Sequence, residues 1–407
     1  MIGYEVSAKG NDFVNAYNPE NGEALPGDFK VATPAEIEIA VSKAEQAFAA
    51  HRNTSGLERA EFLATIAEEI LALGDELVQR VVMETGLPEG RVVGERGRTV
   101  GQLRLFADLL REGSWVEASI DTAIPDREPI PKPDIRKMLR PVGPVVVFTA
   151  SNFPLAFSTA GGDTASALAA GNPVIVKAHE SHLGTNQLIA EAIMKASQKC
   201  NMPDGVFSSL IGAGFSLGQS LVMHRSVKSV AFTGSFKGGK ALYDLAANRD
   251  EPIPVFAEMG SVNPVILLPG KLADEGTQLA AALAGSITLG VGQFCTNPGL
   301  IIGVKGHDLD VFGNELARAI NAAEPAVMLN SGILENYKKR KATVLETEGV
   351  VTLANTDPED LAGAAVAKVD AGLLIANPDL AHEVFGPYSL LVECDDILQV
   401  NDVIRSI

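Results

Sequence analysis

A doubly wound α/β fold, with a parallel sheet followed by a second α/β region, is predicted by three features of the sequence. From Pro141 onward, short Val- and Ile-rich runs alternate with helical stretches, the βα repeat of a parallel sheet. Val142 to Phe148 is apolar throughout, as expected of a strand covered on both faces. The opening third has helical periodicity and then gives way to a charged, Pro-rich excursion too irregular for a core.

Taken in order, Ser55-x-x-Glu58 has the spacing of a capping box, and Leu57, Ala60, Ala64, Ala67 and Leu71 behind it recur at three and four residues. Gly86-Leu87-Pro88 ends that helical region. A second helix is expected over Glu95 to Leu110, carrying Arg96, Arg98 and Arg104. Ile124 to Pro141 suits a protruding hairpin or loop. Strands follow at Val142–Phe148, Pro173–Lys177, Val206–Ile211 and Lys228–Phe232. Helices are expected over Leu155–Ala170 and Thr185–Lys199 and after each of the later strands. A second βα region starts near Pro254, with strands at Pro254–Ala257 and Pro264–Leu268 and a helix over Asp274–Leu289, so Pro252 to Pro254 is a candidate domain boundary.

The length of 407 residues is ample for a large core and corresponds to roughly two or three domains. With 33 basic and 51 acidic side chains the net charge is −18, which argues against a nucleic-acid partner and against an anionic membrane surface. Cys200, Cys295 and Cys394 are odd in number and far apart, so no disulfide framework is expected and a reducing, cytoplasmic compartment fits. Met1 to Lys30 has no apolar signal-peptide region. Gly276 to Val304 carries no charge, but its six glycines with Gln278, Gln293, Asn297 and Pro298 suit the lining of a buried site better than a membrane span.

Ligands of doubly wound sheets bind at the carboxyl ends of the strands, so the polar residues just after each run are the candidates for chemistry. Lys177 ends one strand and Glu180 follows three residues later; such a pair suits ribose hydroxyls, although a strand-end lysine is often only solvated. Gly212-x-Gly214 reads as a glycine turn, because the next glycine, Gly218, comes one residue late for a dinucleotide fingerprint. Thr233-Gly234-Ser235 leaves the next strand, and Gly239 completes a glycine-rich loop at a helix start, where free N–H groups attract phosphate. Glu258 emerges from an apolar run as an ordinary strand-end charge or a general base. Cys295 sits inside the charge-free stretch, as inert core or as a nucleophile, whereas Cys200 and Cys394 have structural settings. The six histidines form no metal-binding pattern, and no serine-hydrolase elbow is present.

In order and spacing these segments resemble the aldehyde dehydrogenase superfamily over nearly the whole chain. Phe148-Thr-Ala-Ser-Asn152-Phe-Pro154 is similar to its catalytic asparagine segment, Lys177-Ala-His-Glu180 to its adenosine-ribose clamp, and Phe232-Thr-Gly-Ser235 with Gly239 to its pyrophosphate loop. Glu258-Met-Gly260 matches its general-base motif, and Gly292-Gln-Phe-Cys295 its nucleophile motif. Glu383-Val-Phe385-Gly-Pro387 matches the segment that holds the nicotinamide ribose and ring. More narrowly, the Gly94–Phe106, Ala150–Ala167 and Gly292–Gly299 segments resemble bacterial 2,5-dioxovalerate (α-ketoglutarate semialdehyde) dehydrogenases, whose relatives include NADP-dependent fatty aldehyde dehydrogenases.

The resemblance implies a Rossmann-type cofactor domain over 1–114 and 142–253, an oligomerisation hairpin over 115–141 and a catalytic domain over 254–407. It implies Cys295 as nucleophile, Glu258 as base for thioester hydrolysis and Asn152 with the Cys295 backbone N–H as oxyanion donors. The cofactor is NAD, with NADP possible, and Glu180 favours NAD because a carboxylate repels a 2′-phosphate. The expected partners are a small aldehyde, 2,5-dioxovalerate or an aliphatic aldehyde, and further copies of the chain in a homodimer or homotetramer. The family continues well past the Glu-x-Phe-Gly-Pro segment, and this chain stops at Ile407, so part of the catalytic domain is expected to be missing. A truncated assembly or binding protein is the alternative reading. The presence of Glu258 disfavours acyl transfer to coenzyme A. Ser158 to Gly162 lacks the arginine that succinate-semialdehyde dehydrogenases usually place there. Arg98 and Gln102, which share a helix face, are therefore the candidates for a substrate carboxylate, with Phe153 and Phe294 beside the aldehyde; Arg104 lies about 120° from Gln102.

Overall fold

Apolar runs bounded by Gly and Pro become the strands of two sheets. The computed structural model describes residues 1–407. The chain divides into two units, one of Met1–Asn18 with Glu23–Met259, the other of Pro19–Gly22 with Gly260–Ile407.

The first unit opens with an antiparallel pair, β1 (Phe13–Tyr17) and β2 (Ala24–Lys30). Helices α1 (Pro34–His51), α2 (Gly56–Ala72), α3 (Gly74–Thr85) and α4 (Glu89–Glu112) follow. Thr33 with Glu36 and Ser55 with Glu58 form reciprocal capping boxes that start α1 and α2. Gly86, left-handed at φ 65°, closes α3. The Pro-rich excursion holds a short antiparallel pair, β3 (Ser119–Asp121) and β4 (Ile135–Lys137). The main sheet then builds as β5 (Val145–Phe148), α5 (Gly162–Ala170), β6 (Val174–Lys177), α6 (Leu183–Lys199), β7 (Phe207–Leu210), α7 (Ser216–Met223), β8 (Ser229–Gly234), α8 (Phe236–Ala247) and β9 (Val255–Met259). Its strand order is β7-β6-β5-β8-β9, all parallel. Val146, Ile175 and Val230 are fully buried at its centre. The chain winds outward from β5 on one side and then crosses over to β8. The carboxyl ends of β5 and β8 therefore flank the point where the winding reverses, which is the ligand crevice of such sheets.

The second unit runs β10 (Val265–Leu267), α9 (Pro269–Thr288), β11 (Leu300–Val304), α10 (His307–Asn321), α11 (Ser331–Leu345), β12 (Val351–Asn355), β13 (Ala365–Asp370), α12 (Ala371–Ala376), β14 (Tyr388–Cys394) and α13 (Ile397–Ser406). Its sheet order is β10-β11-β14-β13-β12, parallel except for the β12–β13 edge. No helix is long and apolar enough to cross a membrane.

Several boundaries differ from the sequence expectation. Val255–Met259 pairs with β8 as the edge strand of the first sheet, so the division falls after Met259 rather than near Pro254. The prolines before β9 lie at a sheet edge, where a missing N–H is tolerated. On α2 the buried face is Ala60, Leu63, Ala67 and Ile70, while Leu57 and Leu71 are exposed. Helix α4 begins six residues before the expected Glu95. The stretch from Leu155 to Gly161 is buried but not helical. Ala150 N–H donates to Phe157 O at 2.9 Å and Gly162 N–H to Ala156 O at 3.2 Å, folding the chain back on itself.

Candidate active site

The loop after β5 carries Asn152, and a carboxylate from α4 holds it. Glu95 is 4% exposed, and its Oε1 accepts the N–H groups of Leu155 at 2.9 Å and Ala156 at 3.0 Å. Arg91 neutralises that carboxylate at 3.1 Å and also donates to Asn152 O at 3.3 Å. The Asn152 backbone is thus fixed by groups one helical turn apart on α4. Phe153 is buried, with the Arg91 guanidinium 4.7 Å from its ring centre. Arg98 is exposed and stacks over Phe153 at 5.6 Å and Phe157 at 4.8 Å. Gln102 packs on Gly162, where an added Cβ would stand 2.9 Å from its amide nitrogen. Arg104 turns away and pairs with Glu68 at 2.6 Å.

The loop after β6 carries the Lys177–Glu180 pair, joined at 3.4 Å. Glu180 also accepts the Gly214 N–H at 3.1 Å, so the Gly212–Gly214 segment is a turn that backs this carboxylate. Helix α6 has no N-cap side chain of its own. Glu84, reaching over from α3, supplies the cap: it accepts Gly184 N–H at 2.7 Å and Thr185 N–H at 2.8 Å, with Arg80 at 2.8 Å as counter-ion. His182 ties the two loops together by donating from Nε2 to Ala150 O at 2.9 Å.

After β8, Ser235 caps α8 by accepting the Gly238 N–H at 3.2 Å. Thr233 is half-buried, Gly234 and Ser235 are exposed, and a Cβ at Gly239 would collide with the Met259 side chain. A glycine-lined, exposed start of a 12-residue helix suits a phosphate, which needs close backbone approach and unpaired N–H groups. With Lys177 and Glu180 one strand over from β5, these residues fit a dinucleotide. Glu258 lies exposed at the end of β9. Burial and the negative charge of Glu258 push the nearby Asp163 carboxyl above its ordinary range.

In the second unit the approach to Cys295 is left-handed at three successive residues, Gly290 (φ 54°), Val291 (φ 59°) and Gly292 (φ 64°). Val291 is β-branched, and that conformation is strained for it. A Cβ at Gly292 would run into the Gly386 carbonyl, so only glycine lets the two segments meet. The Cys295 carbonyl accepts from the Ser261 hydroxyl and from Asn263 Nδ2, the latter at 2.6 Å. Asn297 Nδ2 donates to Gly386 O at 3.0 Å. Cys295 is half-buried. Phe294, Glu383 and Phe385 line one cleft, of about 340 Å³ with open solvent included, together with Ser261, Gly292 and Asn297. Burial pushes the Glu383 carboxyl up, partly offset by the Ser261 N–H. Cys394 is buried, and burial pushes its thiol up to about 11, consistent with a structural role.

A family model described as the aldehyde dehydrogenase family matches residues 6–326. The chain belongs to the aldehyde dehydrogenase family. It is 50% identical to alpha-ketoglutaric semialdehyde dehydrogenase 2 of Azospirillum brasilense, covering 100% of this chain and 78% of that protein. It is 46% identical to an alpha-ketoglutaric semialdehyde dehydrogenase of Acinetobacter baylyi, over 90% of this chain and 70% of that one. Among solved structures, an NAD-dependent benzaldehyde dehydrogenase from Corynebacterium glutamicum superposes with TM-score 0.80 at 23% identity, covering 98% of this chain and 85% of that one. The protein is therefore an NAD(P)-dependent aldehyde dehydrogenase with an α/β fold that acts on an aldehyde.

Glu84, Glu95 and Arg91 are absent from the candidates drawn from sequence. Their i, i+4 pairings, Arg80–Glu84 and Arg91–Glu95, read as surface ion pairs until the contacts 60 to 101 residues away are known. Glu95 holds the backbone of the segment that follows Asn152. Glu95→Ala should lower kcat by about 100-fold, the scale of an ångström-sized misplacement, with the dinucleotide Kd unchanged. Glu95→Gln, which keeps an acceptor oxygen, should recover most of the loss. Wild-type turnover in Glu95→Ala would contradict this role.

Proposed function

We propose that this aldehyde dehydrogenase oxidises 2,5-dioxovalerate to 2-oxoglutarate through a thioester on Cys295. The observation that carries the substrate is the 50% and 46% identity to two alpha-ketoglutaric semialdehyde dehydrogenases, over 100% and 90% of the chain. The reaction itself is supported by the strained, carbonyl-pinned turn on which Cys295 stands.

The Cys295 thiolate, the reactive form of the side chain, attacks the aldehyde carbon. The carbonyl oxygen becomes an oxyanion, which the Asn152 amide and the Cys295 N–H stabilise; one such donor is worth about 3–4 kcal/mol. NAD(P), when bound, supplies the acceptor for the aldehyde hydride. The chain holds it with Lys177 and Glu180 at the adenosine ribose, Thr233, Gly234, Ser235 and Gly239 at the pyrophosphate, and Glu383 and Phe385 at the nicotinamide end. Glu258 then takes a proton from water, the hydroxide attacks the thioester, and the acid leaves as Cys295 regains its thiolate. The covalent bond separates oxidation from hydrolysis. Arg98, held over Phe153 and Phe157, reads the remote carboxylate with Gln102 beside it on α4, and Phe294 contributes an apolar wall. Glu180 disposes the enzyme toward NAD over NADP. Three cysteines, odd in number and far apart in the sequence, fit a reducing, cytoplasmic setting.

Glu258→Gln should give a single-turnover burst of reduced cofactor followed by a slow phase, read by stopped-flow absorbance; loss of the burst would assign Glu258 to an earlier step. The wild type should turn over 2,5-dioxovalerate with higher kcat/KM than an uncharged aldehyde of similar length, and with NAD above NADP. Arg98→Ala should lower kcat/KM on the order of tenfold for the acid substrate alone. Equal losses on both aldehydes would remove Arg98 from carboxylate recognition without touching the reaction. The β3–β4 hairpin is the proposed contact of a homodimer or homotetramer, and a monomeric mass in sedimentation of the full-length protein would count against it.

A further inference from the structure

A second cleft, of about 760 Å³ with open solvent included, lies in the first unit at the base of the β3–β4 hairpin. Its walls come from the α1–α2 connection, the end of α4 and the two ends of the hairpin, which are joined by Leu139 N–H to Val116 O at 2.7 Å. Three arginines line it, Arg52, Arg59 and Arg140, and no carboxylate does. Arg59 is the informative one. It is 6% exposed and forms no ion pair; its Nη1 donates to Thr54 O at 2.8 Å, and its Nε has no partner. A buried cation without a carboxylate is costly, and a guanidinium at a helix start is opposed by the helix dipole as well. Glu58, the acidic neighbour on α2, is exposed and engaged in the Ser55 capping box. Burial and the like charge of Arg140 push the Arg59 guanidinium below its ordinary range. The indole of Trp115 stands 5.7 Å from the Arg59 guanidinium carbon and, with Leu110 and Val116, gives the cleft an apolar wall.

We propose that this cleft binds a small organic oxyanion, its carboxylate or phosphate head held by Arg59 and Arg140 and its body against Trp115. Guanidinium groups match both heads in a bidentate fork, and burial of Arg59 raises the strength of such a bond. The class is a small molecule rather than a polymer, because a chain of net charge −18 repels a nucleic acid beyond the cleft. The site is built entirely from residues outside the candidate active site, and it stands or falls independently of the aldehyde that the enzyme oxidises.

Trp115 is the one tryptophan in the sequence, so its emission reports on this cleft directly. The full-length protein, saturated with NAD to occupy the cofactor phosphate positions, is titrated with pyrophosphate and, separately, with glutarate at constant ionic strength. The expected result is a saturable change in emission with an apparent Kd on the order of 1 mM or tighter. It should weaken at least tenfold in Arg140→Gln, an exposed position, and in Arg59→Lys, which keeps the charge and loses the fork. A response to pyrophosphate alone identifies a phosphate head, to glutarate alone a carboxylate head, and to both a general oxyanion site. Emission that follows ionic strength alone, or an affinity unchanged in Arg140→Gln, overturns the proposal.

Discussion

The loops at the carboxyl ends of the first sheet are held by buried carboxylates, and the candidate chemistry of that unit depends on them. A parallel sheet positions its strands well but leaves the segments beyond them with unpaired N–H groups. Glu95 takes up those of Leu155 and Ala156 after β5, and Glu84 those of Gly184 and Thr185 after β6. Each carboxylate is paired with an arginine one turn earlier on its own helix, which offsets the cost of burying the charge. Charge-assisted bonds to backbone N–H groups are about twice as strong as neutral ones, so these anchors fix loop geometry more firmly than apolar packing alone. The helical opening third of the chain, which carries few of the candidate site residues, is in this sense the frame of the site.

The second unit solves the same problem by backbone conformation. Gly290, Val291 and Gly292 turn left-handed before Cys295, and side chains from Ser261 and Asn263 then hold the Cys295 carbonyl. A valine at positive φ persists only where its surroundings over-determine it, here by packing into the core beneath β11 and β14 and by the tight approach of Gly292 to Gly386. Strain at Val291, four residues before the proposed nucleophile, is the pattern expected of a preorganised site.

What could be read from the sequence was local in it. Strand, polar residue and helix start are consecutive in Val174–Glu180 and Phe232–Gly239, so periodicity and glycine spacing identified them together with their position at strand ends. The anchors were not legible, because Glu84 and Glu95 acquire meaning only from N–H groups 60 to 101 residues away. The buried face of α2 is not legible for a related reason: Leu57 and Leu71 look like core by type, yet the neighbours of α2, which bury Arg59 and Phe62, decide which side faces inward. The prolines before Val255 resembled a boundary, whereas the pairing of Val255–Met259 with β8 made that run an edge strand. Leu155 to Gly161 is apolar enough for a helix, but its carbonyls at Ala156 and Phe157 are taken by Gly162 and Ala150. The cleft around Arg59 and Trp115 joins segments from both ends of the helical region and left no signature in any one stretch.

In the proposed reaction, oxidation passes through a covalent bond to the sulfur of Cys295. Glu258→Gln protein mixed with NAD and 2,5-dioxovalerate, quenched in acid within the first turnover and mapped by peptide mass spectrometry, tests it directly. The expected result is an acyl increment on the peptide carrying Cys295, with the Cys200 and Cys394 peptides unmodified. An increment on either of those two, or reduced cofactor formed in the first turnover with Cys295 unmodified, would contradict it.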